Sequence, residues 1–190
     1  MIINRRKLKK RLRWLVPLVL LGLLLTSKAF WRQIYPFPYR EIIIEEAHRN
    51  KVDPNLVAAI IKTESNFRIG AESKAGARGI MQIMPETGSW AAEMMNLHGF
   101  KLDDLYEAET NITIGCWYLK ELNKEFQGNK ILVIAAYNGG RGNVKTWLEI
   151  EGWTGEHAAV DQIPFPETRA YVKKVLKNYE RYRYLYSDIK

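Results

Sequence analysis

From Tyr39 onward, apolar residues recur at helical spacing with few interruptions. Residues 40–50 place Ile43, Ile44 and Ala47 on one side of a helix. Asp53-Pro54 is a strong start signal: a side chain able to cap the first turn, then proline at the first helical position. The helix it opens extends to about Ser65. The same periodicity predicts helices over 86–96, 109–126, 130–137, 143–150 and 167–186. No stretch alternates long enough for a sheet, although residues 68–83 leave room for one minor hairpin. The pattern predicts an all-α domain of about 150 residues, enough to bury a proper core.

The first 31 residues do not fit that pattern. A basic run is followed by residues 14–27 (WLVPLVLLGLLLTS), 14 positions without a charge. Basic flanks stay on the cytoplasmic side, so the rest of the chain is expected to face outward. Fourteen residues suit a signal-peptide core better than a span, which needs about 20. The apolar stretch continues, however, to Phe30 and Trp31, with Arg13 and Lys28 able to snorkel and Trp14 and Trp31 placed for the two interfaces. Ser27-Lys28-Ala29 is a poor cleavage site. An uncleaved membrane anchor is favoured over a cleaved signal peptide. The expected organisation is residues 1–31 as a basic N-terminus and membrane segment, 32–38 as a short stalk stiffened by Pro36 and Pro38, and 39–190 as the helical domain.

Charge changes the picture by its position. The net +8 invites a nucleic-acid reading, but residues 1–28 hold 8 of the 29 basic residues and no acid. The other 21 balance the 21 acids, so the body is neutral and a nucleic-acid groove is not indicated. One cysteine, Cys116, excludes an intrachain disulfide. His48, His98 and His157 show no ligand spacing, and neither a metal nor another cofactor is expected.

One carboxylate is out of place. With Leu56 at zero on the helix from Pro54, Ile60 falls at about 40°, Val57 at about 100° and Ile61 at about 140°. Glu64 falls at about 80°, inside that apolar sector. A carboxyl group there would be desolvated and held protonated near neutral pH, as a general acid requires. The spacing is equally compatible with a last-turn residue where the stripe meets solvent.

Glu64-Ser65-Asn66-Phe67 is followed by Ser73 and then by residues 76–87 (GARGIMQIMPET). Farther on stand Asn111, Gly115, Tyr118-Leu119 and Ala136-Tyr137-Asn138-Gly139-Gly140, and the chain closes with residues 163–172 (IPFPETRAYV). In type, order and approximate spacing these blocks resemble the catalytic domain of the soluble lytic transglycosylase family, over roughly residues 39–186. The resemblance implies a lysozyme-like helical fold and cleavage of peptidoglycan glycan strands between N-acetylmuramic acid and N-acetylglucosamine, leaving a 1,6-anhydro end. It implies Glu64 as the single acid/base, with Ser73, Gln82, Met84, Tyr137, Asn138 and Glu167 around the saccharide, and the Tyr137 hydroxyl and Ser73 close to the catalytic carboxyl. No metal or diffusible cofactor is implied, and the expected partners are the glycan strands and, through the leader, the membrane. Two departures stand out: Gly140-Arg141 follows the Tyr-Asn-Gly where many relatives have Ala-Gly-Pro, and Asn66-Phe67-Arg68-Ile69 lacks the usual Asn-Pro.

Taken singly, the blocks also have plain structural readings. Gly76 and Gly79 can serve turns, Met81 and Met84 can fill a core, and Tyr137 can simply pack. Of Trp90, Trp117, Trp147 and Trp153, the last lies in a polar segment and is the best candidate for stacking on a sugar. The tyrosines at 179, 182, 184 and 186 are expected on a helix packed back onto the domain. Two rival functions remain: a goose-type lysozyme-like hydrolase, for which Glu72, Glu86 or Glu167 would be the second acid, and a non-catalytic wall-binding scaffold.

Overall fold

The computed structural model describes residues 5–150 and 152–189. The side chains of residues 5–12 and of Trp14, with the place expected for Trp14 at a membrane interface, lie outside what it describes. The chain divides into two compact units, up to Phe37 and from Pro38.

The first unit holds helix α1 (Arg5–Thr26) and helix α2 (Lys28–Ile34). They part at Ser27, whose hydroxyl accepts the Phe30 amide at 3.2 Å and donates to the Leu24 carbonyl at 2.8 Å. The Trp31 indole reaches back across the bend to the Leu25 carbonyl at 2.8 Å. No single helix among the described residues is long and apolar enough to cross a membrane. Leu15–Thr26 and Lys28–Ile34, bent by 60°, meet that length and composition only as a pair.

The second unit is helical, as the periodicity predicts. Its long helices are α3 (Arg40–Arg49), α4 (Pro54–Glu64), α5 (Pro85–Met94), α6 (Ala108–Glu125), α7 (Lys130–Gly139), α8 (Arg141–Glu149) and α9 (Pro166–Leu185). Each lies within two residues of its expected span. Two 3₁₀ turns, Leu102–Tyr106 and His157–Gln162, are too short to carry a periodic signal and were not expected. In place of a hairpin, residues 68–83 form isolated antiparallel bridges between Glu72 and Arg78 and between Arg78 and Ile83.

Helix α4 lies at the centre of this unit, against α3 and α9. A one-sided apolar stripe understates its position, because residues 54–61 are buried all round and only Lys62, Thr63 and Glu64 regain partial exposure. Its N-terminus is fixed by Asp53, which accepts the Asn55 amide at 2.8 Å and the Tyr179 hydroxyl of α9 at 2.5 Å. Near its other end, Asn178 of α9 donates to Thr63 Oγ1 at 2.9 Å. The two helices are thereby pinned together along their length. Tyr179, Tyr182 and Tyr186 pack inward as expected, whereas Tyr184 is exposed.

Trp153 departs from expectation. It is only 3 % exposed, donates its indole N–H to the Ala159 carbonyl at 2.8 Å and lies edge-on to Trp147 with centroids 6.0 Å apart. The following 3₁₀ turn folds back over the ring, so burial of a large aromatic outweighs the polarity of its sequence neighbours, and the ring is not available to a sugar. Cys116 is buried, and that burial pushes its thiol well up, which keeps it unreactive.

Candidate active site

Helix α4 ends on Glu64, and the chain then turns sharply. Asn66 and Phe67 both adopt left-handed backbone conformations (φ 53° and 64°), uncommon for residues with side chains. Burial of the Phe67 ring, 6.4 Å from that of Tyr182, offsets that strain. Ser65 donates to the Ile80 carbonyl at 2.7 Å and draws the loop back over the helix end.

That loop is braced chiefly by α6. Asn111 accepts the Met81 amide at 2.8 Å and donates to the carbonyls of Arg78 (3.0 Å) and Leu105 (2.7 Å), so one buried amide serves three backbone groups. Gly79 has φ 76°, and a Cβ there would lie 2.0 Å from the Leu105 carbonyl oxygen and 2.3 Å from Asn111 Nδ2; glycine is obligatory. Gly115 lets Met81 rest against α6, since a Cβ would meet its sulfur at 2.3 Å. The Tyr137 hydroxyl, from α7, donates to the Met81 carbonyl at 2.8 Å.

Glu64 sits half-buried within this frame. Desolvation dominates its titration and raises its pKa to about 7, against weaker lowering by the Tyr171 hydroxyl and the Lys174 ammonium. Tyr171, from α9, donates to Glu64 Oε1 at 2.6 Å, the only hydrogen bond the Glu64 carboxyl makes among the described residues. No second carboxylate is among the groups that shift Glu64. Burial, and after it the negative charge of Glu64, push the phenols of Tyr137 and Tyr171 well up, so both stay protonated donors. A carboxyl with a pKa near neutrality can give up a proton and take one back without a second acid.

The residues expected around the saccharide divide. Tyr137 is close enough to feel Glu64 electrostatically, but its hydroxyl serves Met81; the hydroxyl on the carboxyl belongs to Tyr171. Ser73 accepts the Ala77 amide at 2.9 Å and shapes the loop turn. Gln82, itself left-handed at φ 52°, donates to the carbonyls of Ala71 (3.0 Å) and Gly79 (2.9 Å). Met84 caps α5 and leaves an apolar side chain 37 % exposed. Asn138 and Glu167 are exposed, at the end of α7 and in the first turn of α9. None of these makes a hydrogen bond to Glu64. Of the acids nominated as a second carboxylate, Glu72 accepts the Tyr106 hydroxyl at 2.8 Å, and Glu86, like Glu167, is exposed.

Tyr171 and Asn111 both stand in the blocks quoted above, yet sequence reasoning gave them no role. A signal for Tyr171 was available: Thr168, Tyr171, Val172 and Val175 recur at helical spacing, which places a hydroxyl on the buried stripe of α9. An aromatic line runs outward from the site. The rings of Tyr137 and Tyr118 are 5.7 Å apart, those of Tyr118 and Trp90 6.3 Å, and those of Trp90 and Trp117 4.9 Å.

Residues 41–160 match the family model described as the transglycosylase SLT domain. The chain is 37 % identical over 156 residues to the soluble lytic murein transglycosylase of Escherichia coli K12, covering 81 % of this chain and 24 % of that protein. It is 33 % identical over 156 residues to the membrane-bound lytic murein transglycosylase D of the same strain, covering 76 % and 33 %. The crystal structure of the 70 kDa soluble lytic transglycosylase from Escherichia coli superposes with a TM-score of 0.79 at 35 % identity, over 84 % of this chain and 26 % of that one. The chain thus spans about a quarter to a third of the length of these relatives.

Proposed function

The chain belongs to the transglycosylase SLT-domain family, and on that premise we propose that it is a lytic transglycosylase of peptidoglycan with Glu64 as its one acid/base. The observation that carries this reading is a half-buried carboxyl at the end of α4 whose pKa stands at about 7 with no acidic partner. Most glycosidases divide the work between two carboxylates. A single group suffices if the substrate supplies the rest.

Protonated Glu64 donates to the oxygen bridging C1 of N-acetylmuramic acid and N-acetylglucosamine as that bond breaks. The acetamido carbonyl of the muramic acid stabilises the cationic carbon. Ionised Glu64, steadied by the Tyr171 hydroxyl, then takes the proton of the same sugar's 6-hydroxyl as O6 bonds to C1. The product is a 1,6-anhydro ring, water is not consumed, and Glu64 is protonated again. Ser73, Gln82, Met84, Tyr137, Asn138 and Glu167 are assigned to the saccharide groove. The braced loop supports this by presenting its backbone in one rigid geometry.

Residues 1–31 are assigned as a single membrane anchor with the catalytic domain, 39–190, on the outer face and 32–38 as the stalk. The similarity to a membrane-bound relative and the apolar bent pair of helices support this. Sizing the membrane-bound protein by mass spectrometry tests it; a new N-terminus at Phe30 refutes the anchor.

The test of activity is mass spectrometry of material released from purified peptidoglycan by the wild type and by Glu64→Gln. Muropeptides one water lighter than hydrolysis products, absent with the variant, are expected. Reducing ends of full mass would instead make the protein a hydrolase.

A further inference from the structure

Beside the aromatic line lies a hollow of about 450 Å³ lined by Trp90 of α5, Glu121, Lys124 and Glu125 of α6, and Arg141 of α8. We propose that this hollow is a subsite for the peptide stem of the substrate, with Arg141 taking a stem carboxylate; the proposal rests on the peptidoglycan reading above.

The lining is charged in both senses and its charges are held in place. Glu125, whose side chain is 15 % exposed, forms ion pairs with Arg141 Nε at 3.1 Å and Lys145 Nζ at 2.5 Å, one at each oxygen. Lys124 pairs with Glu121 at 2.7 Å. The Arg141 guanidinium also lies over the Trp90 ring, 5.6 Å from its centroid. Anchored through Nε and by the indole face, Arg141 keeps both terminal nitrogens without an acceptor among the described residues. A planar pair of N–H donors held in this way is matched to a carboxylate.

Within peptidoglycan, carboxylates and amines belong to the peptide. The glycan itself offers neutral hydroxyls and acetamides, for which a lining of two cations and two acids is poorly suited. The hollow is also near enough to be served by the same strand, since Trp90 reaches Tyr137, beside Glu64, through the single ring of Tyr118.

Two measurements on the full chain test the proposal. The first compares kcat/KM on strands with intact stems and on strands stripped of stems at the lactyl amide, the freed lactyl carboxylates then being capped as methylamides so that the control strand is neutral. Arg141→Gln is expected to lower the ratio of the two values about tenfold, as for one lost charge-assisted hydrogen bond, through KM on the stem-bearing strands. An unchanged ratio overturns the proposal. The second titrates a synthetic stem tetrapeptide and follows the Trp90 indole N–H by NMR. A shift in the wild type that Arg141→Gln abolishes is expected, and no shift in the wild type overturns the subsite. If the wild type releases no anhydro products but still binds the tetrapeptide at Trp90, the transglycosylase reading fails and the peptide site stands.

Discussion

Tyr171 and Glu64, the proposed acid/base, share one hydrogen bond that bears on the carboxyl's titration. Desolvation raises the Glu64 pKa and the Tyr171 hydrogen bond restrains that rise. Tyr171→Phe therefore drives the pKa of Glu64 above its present value of about 7. The alkaline limb of the kcat/KM profile should move to higher pH, and the rate should fall about tenfold as the ionised carboxyl loses its donor. A limb that stays in place would separate Tyr171 from the acid. Helical spacing put Glu64 on the apolar sector without deciding between a desolvated acid and a solvent-edge residue, and the neighbouring motif blocks singled it out. Neither revealed its partner, because the two residues stand 107 positions apart and meet only through the packing of α9 on α4. Trp153 shows the opposite failure: polar neighbours in sequence gave no warning of the 3₁₀ turn that covers it.

Among the elements, the loop between α4 and α5 is the piece that periodicity could not build. Its shape depends on bonds to other helices, above all those of Asn111 on α6. Asn111→Ala leaves three backbone groups without their partner and should cost about 3 kcal/mol in urea unfolding, with a fall in kcat as the loop loosens. Asn111→Asp keeps an acceptor for the Met81 amide but loses both donors, and should retain no more than part of that stability. Equal stability of all three proteins would show that the loop is held elsewhere. The long helices, by contrast, were legible to within two residues, since their apolar spacing and the Asp53-Pro54 start are local signals.

For the molecule as a whole, the proposed role of Glu64 carries a cost in stability. Its folded pKa of about 7 stands above the 4.5 of an unperturbed carboxyl. The folded state therefore holds a proton that the unfolded state has released, and stability should fall as pH rises from about 4.5 to about 7 and then level off. Glu64→Gln should remove that slope. With allowance for partial solvent exposure, the variant should be more stable than the wild type by about 2 kcal/mol above pH 7, and no different below pH 4.5. Thermal melts across this range measure both. A constant difference at all pH values would mean that Glu64 is not desolvated. The fold class was readable because helices declare themselves locally, whereas the union of α4 with α9 depends on contacts such as Asp53 to Tyr179 and Thr63 to Asn178 that no single segment contains. That union has a consequence in time. A chain synthesised from its N-terminus presents Glu64 well before Tyr171, so the carboxyl exists for a time without its phenolic partner. The pairing of carboxyl with phenol is complete only when the final helix has docked, so a copy truncated before α9 should carry Glu64 without the restraint on its titration.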